Sequence, residues 1–63
     1  VLTALGVDVG TTNTKVALVD VTVPRLLAVA SAPTPSPRDA AAVLAGLVAR
    51  VRPAGPAPVA VGI

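Results

Sequence analysis

The chain has no cysteine, no histidine and no aromatic residue. Without cysteine there is no disulfide staple and no thiolate metal site. Without histidine there is no imidazole base, no imidazole ligand and no pH switch of the usual kind. Without aromatics the core is left to valine, leucine, isoleucine and alanine, and no ring is available to stack on a base. Charge is scarce as well. Lys15, Arg25, Arg38, Arg50 and Arg52 stand against Asp8, Asp20 and Asp39, a formal net charge of +2. The five cations are spread along the chain, so no nucleic-acid surface is expected. Long hydrophobic runs are also missing. Charges and prolines interrupt the apolar residues well short of the roughly 20 that a membrane-spanning helix needs, so no membrane partner is expected. No basic stretch followed by a cleavage pattern marks a signal peptide.

With 63 residues there is room for one small domain at most, and a chain of that size buries a limited fraction of its surface. Small scaffolds need a staple or an unusually dense core, and the composition offers neither. The expectation is a piece of a larger protein. A start at Val1 in place of Met and a stop inside an apolar run at Ile63 both fit truncation.

What is present is concentrated in residues 5–20, LGVDVGTTNTKVALVD. An apolar run ends in Asp8. A second apolar run opens with Lys15. Between them Gly10, Thr11, Thr12, Asn13 and Thr14 offer backbone N–H groups and short hydroxyl or amide side chains. This is the chemistry of a loop that holds phosphate oxygens. Gly10 has no Cβ, so the backbone can turn sharply and approach a ligand closely. Lys15 supplies a mobile positive charge. Asp8 would repel bare phosphate, and makes sense with a hydrated Mg²⁺ between the two. The spacings G-x-x-x-x-G-K-[ST] and G-x-G-x-x-G are both absent. The plainer reading is a Gly-Thr hairpin between two valine-rich strands.

The string Gly6-Val7-Asp8-Val9-Gly10-Thr11-Thr12-Asn13-Thr14-Lys15 resembles the first phosphate loop of the sugar kinase, heat-shock chaperone and actin superfamily of ATPases. Within that superfamily it is most similar to the start of FGGY-type carbohydrate kinases. The resemblance implies that Asp8 helps organise Mg²⁺. It implies that Gly10, Thr11, Thr12, Asn13 and Lys15 contact the terminal phosphates of ATP. Type III pantothenate kinases and the ATPase activators of dehydratases resemble the same string. Heat-shock chaperone ATPases share the Gly-Thr-Thr-Asn loop and transfer nothing to a sugar. The continuation favours the sugar kinases: a strand ending in Ala-Ser-Ala, a Pro/Thr linker, a capped helix and an Ala-Val-Gly-Ile strand.

Taken in order, residues 1–9 read as a strand whose nearly continuous apolar character fits burial on both faces. Residues 14–20 read as its hairpin partner and residues 25–30 as a third strand. Residues 31–37, SAPTPSP, read as an extended linker, because prolines at every second position disfavour helix and ladder alike. Ser36, Pro37 and Asp39 read as a capping box with proline at the first helical position. Val43, Leu44, Leu47, Val48 and Val51 recur at helical spacing. Arg50 and Arg52 suit the helix C-terminus, and Pro53 stops the helix. Residues 59–63 read as a fourth strand beside the first.

The expected fold class is α/β: three antiparallel strands, a helix and a parallel fourth strand, as an incomplete ribonuclease H-like (actin-like ATPase) half-domain. The expected function of the parent is phosphorylation of a sugar or polyol hydroxyl, with ATP and Mg²⁺ as cofactors, in the cytoplasm. A catalytic carboxylate, a second phosphate loop and an adenosine pocket are not identifiable here. The isolated chain is therefore expected to be inactive.

Overall fold

The computed structural model describes residues 2–63; Val1, the first residue of the expected strand, lies outside them. Strands β1 (Thr3–Val9), β2 (Asn13–Asp20) and β3 (Arg25–Pro33) form an antiparallel meander. Helix α1 (Ala40–Val51) follows, then a single 3₁₀ turn (Arg52–Ala54) and strand β4 (Ala60–Gly62). The chain crosses under the meander to place β4 parallel to β1, giving the order β3-β2-β1-β4. The α/β class, the meander and the parallel fourth strand all agree with the sequence reading.

The two-residue period of a strand decides which face is covered. In β2 the residues Thr14, Val16, Leu18 and Asp20 are buried, while Asn13, Lys15, Ala17 and Val19 point the other way. Leu5 faces Leu18 across β1, and Ala30 faces Val16 across β3. Leu47 and Val51 of α1 close this layer, with Val43, Leu44 and Val48 packed around it. The opposite face of the sheet carries no helix among the described residues, and Leu26 and Val29 are more than half exposed there. The apolar run in β1 is thus covered on one face only, where burial on both had been expected. Its small residues Ala4 and Gly6 are those turned to the open side.

Polar groups drawn into the covered layer are satisfied locally, as buried polar groups must be. Thr3 donates its hydroxyl proton to the Pro56 carbonyl at 2.9 Å. The Asp20 carboxylate accepts the Thr22 N–H at 2.9 Å and the Val23 N–H at 3.4 Å. Asp20 therefore builds the β2–β3 turn. Among the described residues no buried side-chain N or O lacks a partner.

Two local expectations are corrected. First, β3 runs to Pro33, three residues into the expected linker. An edge strand tolerates proline because only one side of the ladder is used, and the ladder continues with the Thr34 N–H donating to the Thr12 carbonyl at 2.9 Å. Second, the capping box does not form. Asp39 is the N-cap and makes no side-chain cap bond. Its N–H donates to the Ser36 carbonyl at 3.0 Å, and the Ser36 hydroxyl donates to its carboxylate at 3.2 Å. Pro37 thus sits at the second position of a turn, where its fixed φ is suited, and the helix begins after it. Helix α1 ends at Val51, ahead of Pro53 as the sequence reading has it, and a single 3₁₀ turn follows through Ala54.

Gly46 lies exposed in the interior of α1, and a Cβ placed there would meet nothing within 4 Å. The Gly46→Ala variant is expected to be more stable by about 1 kcal/mol, from helix propensity alone. Thermal unfolding followed by circular dichroism checks this, as a higher midpoint with an unchanged spectrum.

Candidate functional site

The predicted site residues gather at one end of the sheet, where β1 and β2 meet. Gly10, Thr11 and Thr12 form the hairpin tip, and all three are exposed. Two-residue hairpins usually need left-handed residues at the tip. Among the described residues none has positive φ, glycine included. Thr11 and Thr12 are β-branched and would resist that region, so the tip is built in another way.

The Gly10 N–H donates to the Asn13 carbonyl at 2.9 Å. The reciprocal bond, from the Asn13 N–H to the Gly10 carbonyl, is not made. The Gly10 carbonyl instead accepts the Thr34 hydroxyl at 2.6 Å. The Thr12 carbonyl accepts the Thr34 N–H. Two tip carbonyls are thereby held at the back of the loop, against the end of β3. Among the described residues the Thr11 and Thr12 N–H groups make no backbone hydrogen bond. The tip thus presents N–H donors without a backbone partner beside two carbonyls that are occupied.

Gly10 makes the tight turn that the sequence reading expects. Its N–H is taken up by the Asn13 carbonyl. Its lack of a Cβ makes room for a backbone atom, since a Cβ there would lie 2.9 Å from the Asn13 carbonyl oxygen. Thr14, counted among the loop donors from sequence, is placed elsewhere. It is buried on the helix side, and its hydroxyl lies 3.1 Å from that of Thr34.

Asp8 and Lys15 are register partners on β1 and β2, and both are exposed on the open face. Asn13 shares that face, two residues above Lys15. Asp8 and Lys15 line a shallow depression of about 420 Å³ with Gly6, Val7, Ala17, Val29 and Gly62. The depression opens below the hairpin tip. A carboxylate and an ammonium thus flank one apolar floor on the open face.

The donor set fits a hydrated magnesium ion. Such an ion takes one or two carboxylates and fills its remaining positions with water and phosphate oxygens. Asp8 supplies one accessible carboxylate on the face below the tip. Among the described residues no three His, Cys, Asp or Glu side chains gather into a metal cluster, so an all-protein cage is not available. The ion would be held jointly with phosphate.

Thr34 was missed by sequence reasoning, which placed it in a connecting segment. Its signal is tertiary: 20 residues separate it from Thr14 and 24 from Gly10. No local pattern announces contacts at that separation. Among the described residues no helix is long and apolar enough to cross a membrane. No protein-family model, curated protein or solved structure matches the chain.

Proposed function

We propose that the chain is the first part of an actin-like, ribonuclease H-like ATPase domain of a carbohydrate kinase of the FGGY type. Its hairpin tip is the loop that receives the terminal phosphates of ATP. One observation carries this reading. The tip's carbonyls are tied back while the Thr11 and Thr12 N–H groups stand open above a face that bears Asp8 and Lys15. The β3-β2-β1-β4 order with β4 parallel to β1 supports the same assignment.

Phosphoryl transfer asks a protein mainly for positioning and charge neutralisation. The Thr11 and Thr12 N–H groups and hydroxyls, with Asn13, bind and orient phosphate oxygens. Lys15 offsets their charge from the sheet face. Asp8 would hold a hydrated Mg²⁺, which when bound would supply charge neutralisation at the phosphate oxygens. The acceptor is a small sugar or polyol hydroxyl. The groups that bind and deprotonate it belong to the rest of the proposed kinase, which acts in the cytoplasm.

The experiment is an ADP-release assay on the longer protein, with ATP, Mg²⁺ and a panel of sugars and polyols. The reading expects turnover that depends on one acceptor or a few. ATP hydrolysis indifferent to every acceptor would instead favour a chaperone-type ATPase. The isolated chain is expected to turn over nothing.

Asp8→Asn keeps the shape and removes the charge. It is expected to weaken Mg²⁺·ATP binding by about 10- to 100-fold, the usual loss when a group supporting a metal is removed. Binding of ATP without Mg²⁺ should change little. Calorimetric titrations with and without EDTA separate the two.

A further inference from the structure

Thr34 makes three hydrogen bonds at the back of the hairpin tip. Its hydroxyl gives its one proton to the Gly10 carbonyl at 2.6 Å. The 3.1 Å contact with the Thr14 hydroxyl must then be donated by Thr14, since a hydroxyl has a single proton and two acceptor sites. The result is a short relay from Thr14 to Thr34 to the Gly10 carbonyl, in which each bond polarises the next. The third bond is the Thr34 N–H to the Thr12 carbonyl at 2.9 Å.

Peptide geometry converts these carbonyl contacts into N–H direction. Among the described residues none of the peptide bonds is cis. In a trans peptide the C=O and the next N–H point in opposite directions. Holding the Gly10 carbonyl toward β3 therefore aims the Thr11 N–H away from β3. Holding the Thr12 carbonyl does the same for the Asn13 N–H. The Gly10 carbonyl is also kept from the Asn13 N–H, the bond that would otherwise close the hairpin.

Thr34 is itself held rigidly. Pro35 follows it and restricts its backbone to extended conformations. Pro33 precedes it with φ fixed by the ring. The alternating prolines, which look like a plain connector in sequence, fix a residue that reaches the loop.

We propose that Thr34 is a positioning residue of the phosphate loop: it orients the Thr11 and Asn13 N–H groups by fixing the carbonyls of the peptide units that carry them. This rests on the phosphate-loop reading above. Thr34 touches no phosphate itself. It acts through Gly10 and Thr12, and Thr14 stands behind it.

The test uses the 63-residue chain labelled with ¹³C and ¹⁵N. Thr34→Val removes the hydroxyl and keeps the shape and the N–H. Thr34→Ser restores the hydroxyl. Without ligand, Thr34→Val is expected to move the Gly10 carbonyl ¹³C resonance to a lower shift, the signature of a lost hydrogen bond, and Thr34→Ser to return it. In titrations with Mg²⁺·ATP, Thr34→Val is expected to bind about 2- to 10-fold more weakly, the value of one hydrogen bond, with Thr34→Ser near wild type. Thr14→Val, which removes only the donor behind Thr34, is the second variant. It is expected to shift both readouts in the same direction by less, and it decides the matter if Thr34→Val does not fold. An unmoved Gly10 carbonyl in Thr34→Val, or in Thr14→Val where that variant decides, overturns the proposal. So does wild-type affinity in that variant, or a Thr34→Ser variant as weak as Thr34→Val. A wild-type chain that does not bind Mg²⁺·ATP at all overturns the phosphate-loop reading and this role together. A chain that binds but ignores Thr34 overturns this role alone.

Discussion

Leu18→Ala is expected to remove about half or more of the stability of the 63-residue chain. Leu18 is fully buried at the centre of β2, opposite Leu5 on one side and Ala28 on the other. Leucine-to-alanine changes at such sites cost about 2–5 kcal/mol, because the transfer energy is lost and a cavity remains. A chain of this length is stable by only about 3–9 kcal/mol, at about 0.05–0.15 kcal/mol per residue. The loss is thus a large fraction of the whole. The layer has no aromatic or sulfur-containing side chain to shift into the gap. Urea unfolding followed by circular dichroism reads the effect, since no tryptophan or tyrosine is present for fluorescence. A midpoint within 0.5 M of wild type would mean that the helix and sheet do not pack around Leu18.

Gly10→Ala is the second large effect, and it separates function from fold. The new Cβ would stand 2.9 Å from the Asn13 carbonyl oxygen. That atom is backbone, and it also accepts the Gly10 N–H. Relief therefore requires the tip to open and this bond to stretch. A cost of about 1–3 kcal/mol is expected, as for other overpacked sites, with a loss of Mg²⁺·ATP affinity well beyond tenfold. Gly55→Ala is the control. There the nearest atom is the Leu27 Cδ1 methyl at 3.1 Å, the end of a side chain that can rotate away. Gly55 is extended, with φ −169°, a region open to any residue. Mg²⁺·ATP binding should be unchanged in Gly55→Ala. Equal losses of affinity in the two variants would show that the tip is not specifically strained by a Cβ.

The elements whose pattern is local could be read directly from sequence. The alternation in residues 14–20 and the helical spacing from Val43 to Val51 each specify one element, and the crossover to a parallel fourth strand follows from their order. Where one physical cause competes with another, the reading failed. Pro33 forbids a central strand but not an edge, and only the assembled sheet shows that β3 is the edge. The Ser36–Asp39 segment holds both a capping box and a Pro-turn, and the turn prevailed because Asp39 bonds back to Ser36. The apolar run of β1 gave no warning that one of its faces is open. The candidate site was half legible. Asp8, the tip residues and Lys15 are contiguous, so their grouping was visible. The burial of Thr14 depends on strand register, and the part played by Thr34 depends on β3 folding back beside the tip.

The central claim is that the tip from Gly10 to Thr12, above Asp8 and Lys15, receives phosphate. The most direct measurement is a titration of the ¹⁵N-labelled wild-type chain with ATP, with and without Mg²⁺, followed by amide resonances. The account predicts saturable shifts largest at Thr11, Thr12 and Asn13, with smaller ones at Asp8 and Lys15, that strengthen when Mg²⁺ is present. Shifts spread over α1 or β4, or no saturable response at the tip of a folded chain, would contradict it.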